Sequence, residues 1–130
     1  MFQSPDSHWW LMYPNEAVGY WPVDIFKEFG DYATHINFGG KIYNSEPGGI
    51  HTSTQMGSGH FPSEGFGRAC FIRNIRYHNN NRTFVSPDPK EFQQLVKKSQ
   101  CYGLNLSAGK DNFETHIFFG GPGYSNTCPN

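Results

Sequence analysis

Apolar and polar residues alternate in short bursts along this chain, and no burst is long. Trp9-Trp10-Leu11-Met12-Tyr13 stops at Pro14-Asn15, and Ala17 to Trp21 resumes the aromatic pattern. A strand, a tight turn and a returning strand fit that spacing. Further strands are predicted over Thr34 to Asn44, Ile50 to Met56 with a polar face of Thr52 and Thr54, and Gly67 to His78 in two pieces. Thr83 to Val85 reads as a hairpin mate across the Asn79-Asn80-Asn81 turn, and Tyr102 to Leu106 and Phe113 to Phe119 complete the set. Glu46-Pro47-Gly48-Gly49 and Gly120-Gly121-Pro122-Gly123 are turns.

Two segments carry helical spacing instead. Val23, Ile25, Phe26 and Phe29 recur at helical intervals between Pro22 and Gly30. Asp88-Pro89-Lys90-Glu91 has the form of a helix start, with Phe92, Leu95 and Val96 on one face. Each predicts a short helix.

Composition agrees with the strands. Of 130 residues 17% are aromatic, with 12 Phe and 7 Tyr, while 15 Gly and 9 Pro punctuate them. Aromatics suit pleated, half-buried surfaces, so the expectation is one all-β domain over residues 1–130, with one or two short helices. The net charge is −1 and the cations are scattered. Nothing supplies the basic stripe of a nucleic-acid binder, and no apolar run is long enough for a membrane helix. The first residues lack a basic start and an apolar core, so no signal peptide is expected there. Asn81-Arg82-Thr83 and Asn105-Leu106-Ser107 nevertheless fit the glycosylation sequon. Cys101 and Cys128 bracket the final segment, where a disulfide is expected to contribute roughly 3 kcal/mol by loop closure. Cys70, in an apolar run, reads as a small buried hydrophobe.

Candidate chemistry is thin by motif alone. His51 and His60 flank a Gly-rich loop but lack the company of a zinc site, so neither metal nor cofactor is expected. Gly57-Ser58-Gly59 is not a nucleophile elbow. Trp9, Trp10, Tyr20, Trp21 and Tyr102 have the chemistry to stack sugars, although such residues more often fill a β core.

The ordered succession of motifs carries more. WWL at 9–11, VGYWP at 18–22, FGGKIY at 38–43, HTSTQMGSGHFPSEGFG at 51–67, CY at 101–102 and FFGGPG at 118–123 resemble the neprosin family of secreted plant glutamic peptidases. The resemblance implies an antiparallel, jelly-roll-like β-sandwich, of which these residues match about the C-terminal half, without a propeptide. It implies an extracellular location, and a family activity of cleaving proteins after proline at acid pH. That activity uses two glutamates, one carboxylate accepting a proton from water while a protonated carboxyl donates. The resemblance places one glutamate upstream of Trp9 and the other directly after a Gly-Gly pair. Here that pair is Gly39-Gly40, and Lys41 follows it.

A charged lysine offers donors and no acceptor, so it cannot replace a carboxyl in such a pair. Neither Glu46 nor Glu64 is expected to compensate, and the expected outcome is an inactive chain. The candidate cleft is Gly39, Gly40, Lys41, His51, Thr52, Gln55, His60, Glu64, Tyr20 and Trp21, and its expected ligand is a proline-containing peptide. A non-catalytic binder of extracellular peptides or glycans is the alternative. A half-sandwich leaves one sheet face uncovered, so the missing half or another chain is expected as a folding partner.

Overall fold

The computed structural model describes residues 2–3, 8–26, 33–49, 51–109, 112–126 and 128. The fold is all-β and antiparallel, and its only helices among the described residues are single 3-10 turns. Two compact units divide the chain, residues 1–37 and residues 38–130.

In the first unit, β1 (Phe2–Gln3), β2 (Trp9–Tyr13) and β3 (Glu16–Trp21) form a sheet in that order. The β2–β3 hairpin turns at Pro14-Asn15, where proline fixes one backbone angle and removes a donor. Its register pairs Trp9 with Trp21 and Trp10 with Tyr20, and shifts between Leu11 and Met12. Trp9 is buried. The helix expected from Val23 is one 3-10 turn, Val23–Ile25, after which Phe26 leaves helical geometry. Lys27, Glu28 and Phe29 of that expectation lie outside the described residues.

The second unit holds a sheet in the order β4 (Cys70–Ile72), β8 (Thr115–Gly120), β7 (Gly103–Ala108). A hairpin of β5 (Tyr77–His78) and β6 (Phe84–Val85) lies apart from it in the hydrogen-bonding pattern. Strand periodicity decides what the main sheet buries. Ile117 and Phe119 of β8 face the core with Ile72, Leu104 and Leu106, joined by Ile75, Phe38, Met56 and Phe92. Burying a side chain such as Ile117 contributes about 2 kcal/mol. Thr115 shares the buried face, where its hydroxyl donates to the Pro87 carbonyl at 2.8 Å and receives Ser86 Oγ at 3.2 Å. A second cluster joins Cys101, Tyr102 and Cys128 to Ile42 and Met56.

Several expected elements are replaced. Residues 34–44 join no ladder, and within 51–56 only Met56 pairs, in an isolated bridge to Gly121. Ile50 lies outside the described residues. The strand expected over Gly67 to His78 breaks at Arg73–Arg76, because Asn74 adopts a positive φ of 53° and Ile75 turns into the core. The helix expected from Asp88 starts as foreseen, Asp88 Oδ1 accepting from the Lys90 N–H at 2.8 Å. It ends after Pro89–Glu91, since Phe92 turns extended and packs on the core. Leu95, 72% exposed, has no apolar surface to hold a longer helix in place.

Candidate functional site

Residues Phe38 to Asn44 run without strand partners, and of them only Phe38 and Ile42 are half-buried. Phe38 packs on the core with its ring 6.1 Å from Phe92. A Cβ on Gly40 would stand 2.8 Å from Met56 Cγ and 3.1 Å from Phe119 Cε2, so only glycine fits there without displacement. Ile42 packs on the disulfide cluster, and Asn44 Oδ1 accepts from the Thr52 N–H at 3.0 Å. Gly39, Gly40, Lys41, Tyr43 and Asn44 are all exposed. Gly39 has a φ of 142°, which other residues rarely adopt. Lys41 makes no ion pair among the described residues.

The His-Thr loop is tied down by hydrogen bonds. His51 Nδ1 donates to the Thr52 carbonyl at 3.0 Å, and its ring centroid lies 5.3 Å from that of Tyr102. Thr52 is buried, with its hydroxyl 2.8 Å from that of Thr54 and accepting the Thr54 N–H at 3.2 Å. The Tyr102 hydroxyl donates to the Thr54 carbonyl at 2.8 Å, and burial pushes its pKa up. Met56 and Gly121 exchange two backbone hydrogen bonds, and the Tyr124 N–H donates to the Thr52 carbonyl at 2.9 Å. Gln55 lies against Gly59, whose Cβ would come within 2.7 Å of its amide carbon.

The 3-10 turn Pro62–Glu64 then positions the one acid of the loop. Glu64 accepts from His60 Nδ1 at 2.8 Å, from the Phe61 N–H at 3.0 Å, and lies 3.5 Å from Arg68 Nη1. The hydrogen bond from His60, with help from Phe61 and Arg68, lowers its pKa below the ordinary 4.5. Such a carboxyl stays ionised and braces the loop. An acid that must hold its proton until the reaction needs the opposite environment.

The candidate residues therefore divide. Gly40 sits on the core with Met56, while His51 and Thr52 belong to the Tyr102 network. His60 and Glu64 form their own cluster, and no hydrogen bond or ion pair joins Lys41 to them among the described residues. Tyr20 and Trp21 lie in the first unit, where Tyr20 stacks on His8 at 4.8 Å and tilts against Trp10 at 4.9 Å. The sequence reading missed Asn44 and Arg68 as parts of these clusters. Arg68 was legible four residues after Glu64, the spacing of a local ion pair; nothing in the sequence marked Asn44.

It also missed a groove lined by Arg76, Phe84, Ser86 and Thr115, in which Arg76 Nη2 donates to both Glu114 carboxylate oxygens at 2.7 and 2.9 Å. Glu114 raises the Arg76 pKa through those bonds, and itself holds a φ of 47°. Cys101 and Cys128 are bonded, with Cα atoms 4.9 Å apart, and Cys70 is free and half-buried against Gly57. Asn81 lies exposed in the β5–β6 turn, and Asn105 lies exposed on β7. The described residues contain no group of three or more His, Cys, Asp or Glu arranged to hold a metal ion, and no helix among them is long and apolar enough to cross a membrane. A family model described as Neprosin matches residues 1–122.

Proposed function

The chain belongs to the Neprosin family, and from that premise we propose that it is a non-catalytic member, a glutamic-peptidase scaffold that retains its loops without their acid–base pair. One observation carries this reading. Position 41, where the resemblance puts a catalytic glutamate after Gly-Gly, is an exposed lysine. Its charge is opposite to the one the reaction needs, and a charged lysine offers donors but no acceptor. Glu64 does not replace it, because His60 and Arg68 favour its ionised form.

On this reading the protein is secreted, and its ligand class is the proline-containing peptide of its active relatives. The test is cleavage of proline-containing peptides from pH 2 to 6. No turnover is expected from the native chain. Robust turnover that disappears in Glu64→Gln would overturn the proposal.

A second reading rests on the first unit. Tyr20 and Trp21 are 50% and 41% exposed, and Tyr20 stacks on His8, which is the form of an aromatic binding surface for a peptide or glycan. Trp9 is buried and takes no part in it. Binding to a glycan array or to proline-rich peptides that is lost in Tyr20→Ala and Trp21→Ala supports this reading. Binding unaffected by both removes it.

A further inference from the structure

The sheet β4-β8-β7 carries apolar side chains on both faces. The buried face carries Ile72, Leu104, Leu106, Ile117 and Phe119. Strand alternation puts Phe71, Phe118 and His116 on the other. There Phe118 lies 5.9 Å from Phe71 and 6.1 Å from Phe113, and Phe66 lies 5.3 Å from Phe71 and 5.6 Å from Phe113. Phe66 is 67% exposed. Arg73 lies over the Phe113 ring at 5.3 Å from its centroid. Phe71, Phe113 and Phe118 are half-buried against one another, and with Phe66 they make a contiguous aromatic surface of the kind that marks an interaction site.

The register supplies an occupant. Asn105 is directly opposite Phe118, which is directly opposite Phe71, so the three side chains form one row across this face. Ser107 is opposite His116 in the adjacent row. Asn105 and Ser107 are the first and third residues of a glycosylation sequon, both exposed, on the strand at the sheet's edge. We infer that Asn105 carries an N-linked glycan whose first sugar lies on the Phe118–Phe71 surface and covers it. A pyranose has one face of C–H hydrogens carrying slight positive charge, which complements the negative face of an aromatic ring. Its hydroxyl and amide groups point to solvent, so covering the rings with it leaves a polar surface. The bond forms between Asn105 Nδ2 and the anomeric carbon of a lipid-linked oligosaccharide donor, the bond from that carbon to the lipid pyrophosphate oxygen breaks, and the displaced Nδ2 proton leaves with the lipid pyrophosphate. Asn81, in the turn of a separate hairpin, has an aromatic neighbour of this kind in no hydrogen-bonded row.

This inference rests on the proposed secretion of the chain, and the test separates the two. The full chain, fused to a supplied leader, is produced in a secreting eukaryotic host, and site occupancy is read by mass spectrometry of its peptides. The glycan is then trimmed to one N-acetylglucosamine and its proton resonances are recorded. Occupancy of Asn105 is expected, with sugar ring protons shifted upfield by the aromatic rings and the shift lost in Phe118→Leu. The trimmed form is also expected to melt about 4 °C above Ser107→Ala, which lacks the sugar. An unmodified Asn105, or sugar resonances at the positions of a free glycan, would overturn it. Location is read independently by fractionating source tissue, so an intracellular native chain would refute secretion without touching the geometry.

Discussion

His60 Nδ1 and Glu64 Oε2 are joined at 2.8 Å across a single 3-10 turn. The turn is short because Pro62 opens it and Gly65, at a φ of 70°, closes it. Loop geometry and charge placement are thus one construction: the residues that bend the chain also bring the imidazole to the carboxylate.

This pair makes stability depend on pH in a definite direction. The Glu64 carboxyl binds its proton less tightly in the folded chain than its ordinary 4.5, so its ionised form favours folding. That contribution is present above about pH 4.5 and is lost as the pH falls through the lowered value. Thermal melts of native protein and Glu64→Gln should differ at neutral pH, with the gap narrowing as the pH falls below 4.5. A constant gap across that range would show that the difference has another origin.

Gly121 is irreplaceable for a steric reason. Its φ is 154° and an added Cβ would run into the Cys101 carbonyl oxygen and stand 2.8 Å from Tyr102 Cα. Gly121→Ala should cost about 3 kcal/mol or more, because both neighbours are backbone and cannot rotate away. Gly19→Ala, where nothing lies within 4 Å, should stay within about 0.5 kcal/mol. Denaturant midpoints of the two variants give the comparison.

Thr115→Val keeps the shape of the buried side chain and removes its hydroxyl. The Pro87 carbonyl then loses its 2.8 Å donor in a buried setting, and Ser86 loses an acceptor. A loss of about 1–3 kcal/mol is expected by equilibrium unfolding. Thr115→Ser, which retains the hydroxyl, should recover part of it.

Reduction of the Cys101–Cys128 bond releases a loop closed over a sequence separation of 27. The chain-entropy estimate for such a loop is about 3–4 kcal/mol. Melting in reductant, or of Cys101→Ala/Cys128→Ala, should fall accordingly. Cys70→Ser makes no bridge and should leave the reductant sensitivity unchanged.

Hairpins were the part of the fold legible in the sequence. Pro14-Asn15 and Asn79 to Asn81 are local signals, and the strands beside them pair with near neighbours. The β7–β8 pair was legible because Leu104, Leu106, Ile117 and Phe119 repeat at a period of two. What failed was deciding whether a strand-like segment has a partner. Residues 38–44 read as a strand, but Phe38 packs on the core and Ile42 on the disulfide cluster while their backbone joins no ladder. Helix length failed likewise, since the start at Asp88 is written locally and the stop is set by where Phe92 packs. For the site, residue types near Gly39 and His51 were visible, but their division into separate clusters depends on contacts such as Tyr102 to Thr54, across a sequence distance of 48.

The Gly120–Gly123 end of β8 sits among backbone from three other places: the His60 and Met56 carbonyls, Cys101 with Tyr102, and Ser53 with Thr54. Added Cβ atoms would collide with each of them, so this segment can seat only when those pieces are already arranged to receive it. A chain cut before residue 115 holds β4 and β7 without the strand between them and the 51–57 loop without its anchor. The second unit is therefore completed in one step, when this segment seats, and not strand by strand.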